Sequence, residues 1–271
     1  MYQRTTLSAR RKTPPALKVE AIAASLHSSA IGHRILYLPV VTSTMDVARQ
    51  EAERGAPEGT VVVAEEQTAG RARFGRQWLS TPNQNLAFSV LLYPSRMTST
   101  RLSTVTPVAV LRAITKVTGL SATLKWPNDV RLGEKKVCGI LIEAAFQDSQ
   151  VRYAILGIGI NVNFNPAEDP QADFAATSLA AELGKHVSRE ELLQAILTEL
   201  GLAYTHLREW DSVWDEWRSS LETLGRQVQV RWGEHLEEGV AEDVDSEGNL
   251  LLRRADGTLV ALAAGEVTFQ L

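Results

Sequence analysis

Apolar residues recur with two different periods along this chain, and the switches between them mark its elements. "ILYLPVV" (35–41), "TVVVAEE" (60–66) and "NLAFSVLLYP" (85–94) are compact apolar runs with β-branched residues, and each predicts a strand. Between the first two, "TSTMDVARQEAERGAPEG" (42–59) has helical spacing. There Ser43 with Asp46 predicts a capping box, and Gly55 then Pro57 predict a stop. "LKVEAIAASL" (17–26) predicts one short helix before the first strand. "RLSTVTPVAVLRAITKVTG" (101–119) predicts a longer helix, its start weakened by β-branched residues and Pro107. "ATLKWPNDVRLGEKKVCGILIEAAFQ" (122–147) predicts a strand, a turn at Pro127, a hairpin tip at Gly133–Glu134 and a second strand. "VRYAILGIGINVNF" (151–164) predicts a buried strand, and the polar stretch 164–177 a surface loop.

The last third is helical and then switches. "SREELLQAILTELGLAYTHLREW" (188–210) predicts a helix opened by a Ser188/Glu191 capping box, and "DSVWDEWRSSLETLG" (211–225) a second. Trp210, Trp214 and Trp217 recur at i, i+4 and i+7, which predicts a core stripe. From Gly225, short alternating runs separated by "GE", "SEGN" and "DG" predict a small β-barrel of about fifty residues. The pattern divides the chain into a basic tail with a short helix (1–30), a mixed body (31–223) and a β-module (224–271).

Composition changes this picture little. The 271 residues are 44% hydrophobic and 22% charged, enough to bury a sizeable core. No window approaches the roughly 18 apolar residues of a membrane span. The first residues are basic but lead into no apolar segment, so they are no secretory signal; a disordered tail is favoured over a mitochondrial-type presequence. A single cysteine, Cys138, excludes a disulfide framework and fits a reducing cytoplasm. Net charge is −4, so a general nucleic-acid surface is excluded and any anion must be bound locally.

The candidate chemistry sits in five stretches. "EEQTAGRARFGRQW" (65–78) sets Arg71, Arg73 and Arg76 among Gly70 and Gly75, with Trp78 at its end. Forked guanidinium donors suit a carboxylate or phosphate, and glycine permits close backbone approach. The loop either closes over an anionic ligand or is a solvated basic hairpin anchored by its tryptophan. In "KWPNDV", Lys125 can neutralise phosphate, Asn128 can read a base edge or hold an oxygen, and Asp129 can bind Mg²⁺ or orient a neighbour. The alternative is an Asn-Asp turn bonding its own backbone. In "EKKVCGILIE", Lys135 is expected at a solvated tip, Lys136 at the strand entrance either faces inward or is a surface lysine, Cys138 is expected buried and inert, and Gly139 leaves room. In "GIGINVN", Gly157 and Gly159 clear one strand face that Asn161 continues, for a ligand or for tight packing. In "TSTM", Ser43 and Thr44 cap a helix and can bond a small polar ligand there. The five histidines, at 27, 33, 186, 206 and 235, form no ligand pair, and no Ser-His-Asp set is apparent. An enzyme built this way works by positioning and charge neutralisation, which suits phosphoryl or nucleotidyl transfer.

These five motifs, in this order and followed by a module ending "GEVTFQL", resemble the biotin protein ligases over roughly residues 34–271. The resemblance implies an α+β fold: a central mixed sheet flanked by helices, then an SH3-like barrel. It implies activation of biotin with MgATP to biotinyl-5′-AMP and pyrophosphate, then transfer to one lysine of a biotin carboxyl carrier domain. On that reading the biotin pocket uses Ser43, Thr44, Gln67, Gly70, Arg71, Lys136, Gly139 and Gly157, with Arg71 and Lys136 at the reacting carboxylate and α-phosphate. Arg73, Arg76 and Lys125 hold phosphates; Trp78, Asn128 and Asn161 surround the adenylate; Asp129 helps Mg²⁺. The family's loop commonly reads GRGR, and here Ala72 replaces the second glycine, which implies less backbone freedom. Repressor members carry an N-terminal DNA-binding domain, for which the residues before 34 are too few, so no operator binding is expected. Members often pair through the central sheet, which makes a homodimer compatible with the sequence. A lipoate ligase is disfavoured because no "RRxSGGGAVxHD"-like stretch is present, and an RNA-binding module because the chain is acidic and lacks an aromatic RNA-binding signature.

Overall fold

The computed structural model describes residues 15–26, 29–78, 81–164, 166, 175–205 and 210–270. Among them the order is α1 (Val19–Ser25), β1 (Arg34–Val41), α2 (Thr44–Glu53), β2 (Thr60–Gln67), β3 (Leu86–Leu92), α3 (Arg96–Thr118), β4 (Thr123–Lys125), β5 (Asp129–Leu132), β6 (Lys135–Gln147), β7 (Gln150–Ile160), α4 (Leu179–Leu183), α5 (Arg189–Thr205) and α6 (Trp210–Ser220). The C-terminal strands are β8 (Gln227–Trp232), β9 (His235–Val244), β10 (Leu250–Arg253), β11 (Leu259–Leu262) and β12 (Glu266–Phe269). The first seven strands form one sheet in the order β1-β2-β3-β7-β6-β5-β4. Only β1 and β2 run parallel within it; the other pairs are antiparallel, so the expected mixed sheet is present.

The apolar runs are continuous because both faces of the sheet are covered. In β2, Val61 and Val63 join the larger core, and Val62, on the opposite face, joins a smaller cluster with Met45, Ala48 and Ala52 of α2. The α3 helix packs against α5 and α6 and carries the larger core. It begins at Arg96, upstream of the expected start, because Ser95 Oγ accepts from Thr98 N as its cap. It then runs straight through the buried Pro107 and ends at Gly119, whose φ is 74°. Tertiary burial therefore outweighs the local propensity that weakened this segment.

The five C-terminal strands are antiparallel in the order β11-β10-β9-β8-β12. Val228, Val230, Ala241, Leu250, Leu252 and Val267 are buried and belong to one core cluster with Trp126, Trp217 and Leu221 of the larger sheet and its helices.

Several expectations need correction. Ser43 caps α2 by accepting from Met45 N at 3.3 Å, while Asp46 faces Arg71 rather than closing a capping box. Leu17, Val19, Ile22 and Leu26 are buried in the main core, so no packing boundary falls at residue 30. The tail residues 1–14 lie outside the described residues, as do His27, His206 and most of the expected loop at 164–177. Of the helix expected over 188–210, the described residues show Arg189–Thr205, and residues 206–209 are also outside. One half of its capping box is present, Glu191 N donating to Ser188 Oγ at 3.2 Å. The sequence reading also missed α4, which Ser178 caps. Trp217 is buried, and its ring stacks at 5.0 Å on Trp214 and onward to Trp210 at 5.8 Å, as the stripe predicted. No helix among the described residues is long and apolar enough to cross a membrane.

A buried ion pair ties this body together. Arg189 Nη1 donates to Glu65 Oε2 at 2.5 Å, and Glu65 Oε1 also accepts from Leu17 N and Tyr37 Oη. Burial raises the Glu65 pKa, but the Arg189, Leu17 and Tyr37 hydrogen bonds more than offset it, leaving the carboxyl below its usual range. Arg189→Ala strands a buried carboxylate and should cost about 3–5 kcal/mol in urea unfolding at pH 7. A depressed folded-state pKa means this contribution is complete above the ordinary value of 4.5 and is lost as pH falls below it. The gap between wild type and variant should therefore narrow in acid; a constant gap would show that the carboxylate is not the source.

Candidate active site

The cleft begins with missing side chains. Gly139 of β6 pairs directly with Gly159 of β7, and Gly157 lies two residues away on the same face. The Trp78 indole rests on this floor. A Cβ on Gly159 would lie 2.4 Å from the ring, and one on Gly139 would lie 3.2 Å from it. Met45 fills the space over Gly157 in the same way. Glycine here is a requirement of close packing rather than of backbone angle.

One wall comes from the start of α2 and the end of β2. Gln67 Oε1 accepts from Thr44 N at 2.8 Å and Thr44 Oγ1 at 3.1 Å, and Thr44 Oγ1 lies 2.8 Å from Ser89 Oγ. The opposite wall is the β4–β5 turn and the entrance to β6. Register shifts between Val130 and Arg131, so Cys138 and Lys136 face consecutive residues of β5 and Val137 is the extra residue. This bulge re-aims Lys136 onto the face of Gly139, where its Cε and Nζ lie 3.2 and 3.3 Å from a Cβ built there. The Lys136 backbone is pinned as well, by Ala175 O and Thr177 N. Its Nζ is 2.6 Å from Asp129 Oδ1, an ion contact whose angle falls outside hydrogen-bond geometry.

The roof is the arginine loop. Ala72 N donates to Arg76 O and Trp78 N to Gly70 O, closing a tight hairpin. Gly70 is needed there, because a Cβ would come within 2.6 Å of Trp78 O. Ala72 is extended (φ −131°, ψ 177°), a conformation alanine adopts without strain. Phe74, exposed at the tip, has φ 58°, and Arg73 stacks on its ring at 4.8 Å. Arg73 Nη1 donates to Asn128 Oδ1 and to Gly265 O, both at 3.1 Å, and Arg76 Nη2 lies 2.6 Å from Glu266 Oε1. The C-terminal module thus holds the loop. Lys125 Nζ lies over the Phe269 ring at 5.1 Å. Burial lowers the Arg73 pKa against the raising influence of Asp129 and Glu266; burial, then the Arg131 charge, lowers that of Lys125. Burial pushes the Cys138 thiol up, which fits an inert core residue.

Ser43, Thr44, Gln67, Arg71, Arg73, Arg76, Trp78, Lys125, Asn128, Asp129, Lys136, Gly139 and Gly157 line one cleft of about 870 Å³, its open mouth included. Gly70 and Asn161 are not among the lining residues. Gly70 shapes the loop, and Asn161 donates to Thr177 O behind the cleft. Met45, Phe88, Leu141, Gly265 and Glu266 also line it and were missed by sequence reasoning. Pairing of the "GIGIN" and "KKVCG" strands could have pointed to Leu141; nothing local in the sequence points from residue 76 to residue 266. Five cations therefore face two carboxylates, Asp129 and Glu266, beside an apolar end at Met45, Phe88 and Leu141. The arrangement suits an elongated ligand with an apolar body and several negative oxygens. No group of three His, Cys, Asp or Glu among the described residues could hold a metal, so a divalent ion would lean on one or two carboxylates and on ligand phosphates.

Residues 37–161 match the model of the biotin/lipoate A/B protein ligase family, and residues 223–269 match that of the biotin protein ligase C-terminal domain. The bifunctional ligase/repressor BirA of Bacillus subtilis is 34% identical over 253 residues, covering 91% of this chain and 77% of that protein. The biotin–[acetyl-CoA-carboxylase] ligase of Mycobacterium tuberculosis is 30% identical over 270 residues, covering 95% and 97%. Among solved structures, the biotin protein ligase of Aquifex aeolicus in complex with biotin and ATP superposes with a TM-score of 0.72 at 31% identity, over 88% of this chain and 98% of that one.

The loop's attachment can be tested without any ligand. Glu266→Ala removes the Arg76 partner at a half-exposed position, so stability should change by less than about 1 kcal/mol. Tryptic cleavage after Arg71, Arg73 or Arg76 should nevertheless accelerate by about threefold or more. An unchanged cleavage rate would mean that the C-terminal module does not restrain the loop.

Proposed function

We infer the reaction from one premise: this chain belongs to the biotin protein ligase family. It is an ATP-dependent biotin–[biotin carboxyl carrier protein] ligase. A biotin carboxylate oxygen attacks the α-phosphorus of ATP; the bond to the bridging oxygen breaks, and pyrophosphate leaves. The amine of a carrier-domain lysine then attacks the acyl carbon of biotinyl-5′-AMP. The acyl–oxygen bond breaks, AMP departs, and the nitrogen loses a proton. The observation that carries this reading is the cation-rich cleft over a glycine floor, with an apolar end at Met45, Phe88 and Leu141.

On this reading the apolar parts of biotin, its thioether ring and methylene chain, lie toward Met45, Leu141 and Gly157, with Ser43, Thr44 and Gln67 meeting its polar ureido group. Arg71 and Lys136 sit at the carboxylate and α-phosphate. Two anions must meet there, so fixed positive donors remove the repulsion and stabilise the charge that develops. Asp129 keeps Lys136 in register for that contact. Arg73, Arg76 and Lys125 accompany the outer phosphates, and Trp78 and Asn128 flank the nucleotide. Asn161 supports this wall from behind and need not touch it. Asp129, one of the two carboxylates lining the cleft, would help to hold a Mg²⁺ brought in with ATP, and such an ion would supply charge neutralisation at the phosphates. The loop from Gly70 to Trp78, closed over the adenylate, excludes the water that would hydrolyse it.

The decisive experiment is biotin-dependent ATP–pyrophosphate exchange by the folded chain, followed by a mass shift of a carrier domain with biotin and MgATP. Absence of exchange by folded protein overturns the reading. Lys136→Ala should lower exchange by about 100-fold or more. Its melting temperature should move by no more than about 4 °C. A parallel loss of fold and activity would make Lys136 a structural residue instead.

A further inference from the structure

Arg71 is held from outside the cleft. Its Nη2 lies 3.1 Å from Asp46 Oδ1 and donates at 3.2 Å to Glu143 Oε2. Glu143 Oε2 also accepts from Arg49 Nη2 at 2.9 Å. Asp46 and Arg49 come from the first turns of α2, Glu143 from β6, and Arg71 from the loop, so two separate elements converge on the loop's guanidinium. Two positive and two negative charges cancel within the group. Neither carboxylate lines the cleft, whereas Arg71 does. The Arg71 Nε is buried and has no hydrogen-bond partner among the described residues.

A guanidinium is a rigid plane of five donors, so fixing one terminal nitrogen restricts the whole group. Two carboxylates on Nη2 crowd the edge that it shares with Nε, and leave Nη1, neither buried nor bonded among the described residues, as the nitrogen open to a ligand. An oxygen that reached Nη1 would meet a guanidinium already held in place, so less side-chain freedom is lost in making the contact. The bonds to Nη2 need not break for this to happen. A parked arginine, by contrast, would have its ligand-binding donors already consumed.

We propose that Asp46 and Glu143 are positioning residues for the acyl substrate: they fix Arg71 through Nη2 so that its Nη1 donors meet the biotin carboxylate, with Arg49 balancing the charge of Glu143. This rests on the ligase reading. The shared Glu143 oxygen makes α2 and β6 a single support for the loop arginine.

The test uses the full chain in the biotin-dependent exchange assay, with biotin and ATP varied separately. Asp46→Asn with Glu143→Gln should raise the biotin KM by about tenfold, while the ATP KM stays within about twofold. Each single variant should show part of that rise, which keeps the test open if the double variant folds poorly. In an Arg71→Ala background, Glu143→Gln should add nothing further. A lowered biotin KM overturns the proposal in favour of a parked arginine. An unchanged KM, or an equal rise with Arg71 already removed, overturns it as well. Wild-type protein that fails to exchange overturns the ligase reading and this role together; wild-type exchange with unaffected variants overturns this role alone.

Discussion

Gly139 and Gly159 face each other across β6 and β7, and the cleft is made from those two absent side chains. The Trp78 indole can lie on the sheet only because nothing projects there. With Trp78 seated, the hairpin that ends in it must close over the same spot, and its arginines are delivered to the cleft rather than to solvent. The bulge at Val137 depends on the same patch. A bulge that turned Lys136 toward a filled strand face would bury an ammonium against apolar atoms, at a cost of several kcal/mol. Here it turns Lys136 onto a glycine.

The C-terminal module completes what the glycine floor begins. Gly265 O and Glu266 meet Arg73 and Arg76 across about 190 positions of sequence, and Phe269 lies against Lys125, Arg131 and Arg226. The buried cluster that contains Val228, Val230 and Val267 also contains Trp126. The β4–β5 turn that carries Lys125, Asn128 and Asp129 is therefore packed on the same module that restrains the loop. The turn and the loop, which carry four of the five cations of the cleft, share one mechanical base.

The fold was legible where a local rule decides it. Apolar runs, the tryptophan stripe, the Ser188 cap and the "GE", "SEGN" and "DG" turns all act within a few residues. The site was legible as motifs, and thirteen of the fifteen residues singled out for it line one cleft. What could not be read depends on partners far along the chain. Pro107 is tolerated because α3 is buried on α5 and α6, Asp46 leaves its capping role because Arg71 arrives, and Glu65 is buried because Arg189 and Leu17 satisfy it. Gly265 and Glu266 carry no motif that distinguishes them from any strand entrance. The facing of Lys136 turned on a one-residue bulge, which a period of two cannot anticipate.

The cations of the cleft fall into two classes by what holds them. Arg71, Arg76 and Lys136 each touch a carboxylate, so their charge is largely balanced and their geometry fixed. Arg73 touches a carbonyl, an amide oxygen and a ring face, and Lys125 touches a ring face; burial lowers both pKa values, the sign of charge stripped of water without full compensation. An incoming polyanion gains most from the second class, because it supplies the missing counter-charge and displaces little. From the first class it gains alignment more than affinity, since a partner is already there. In the reaction proposed above, the desolvated pair would favour capture of the phosphates, and the carboxylate-held set placement of the reacting atoms. Binding energy gathered away from the reaction centre is then available to hold two negative oxygens at the distance where one attacks.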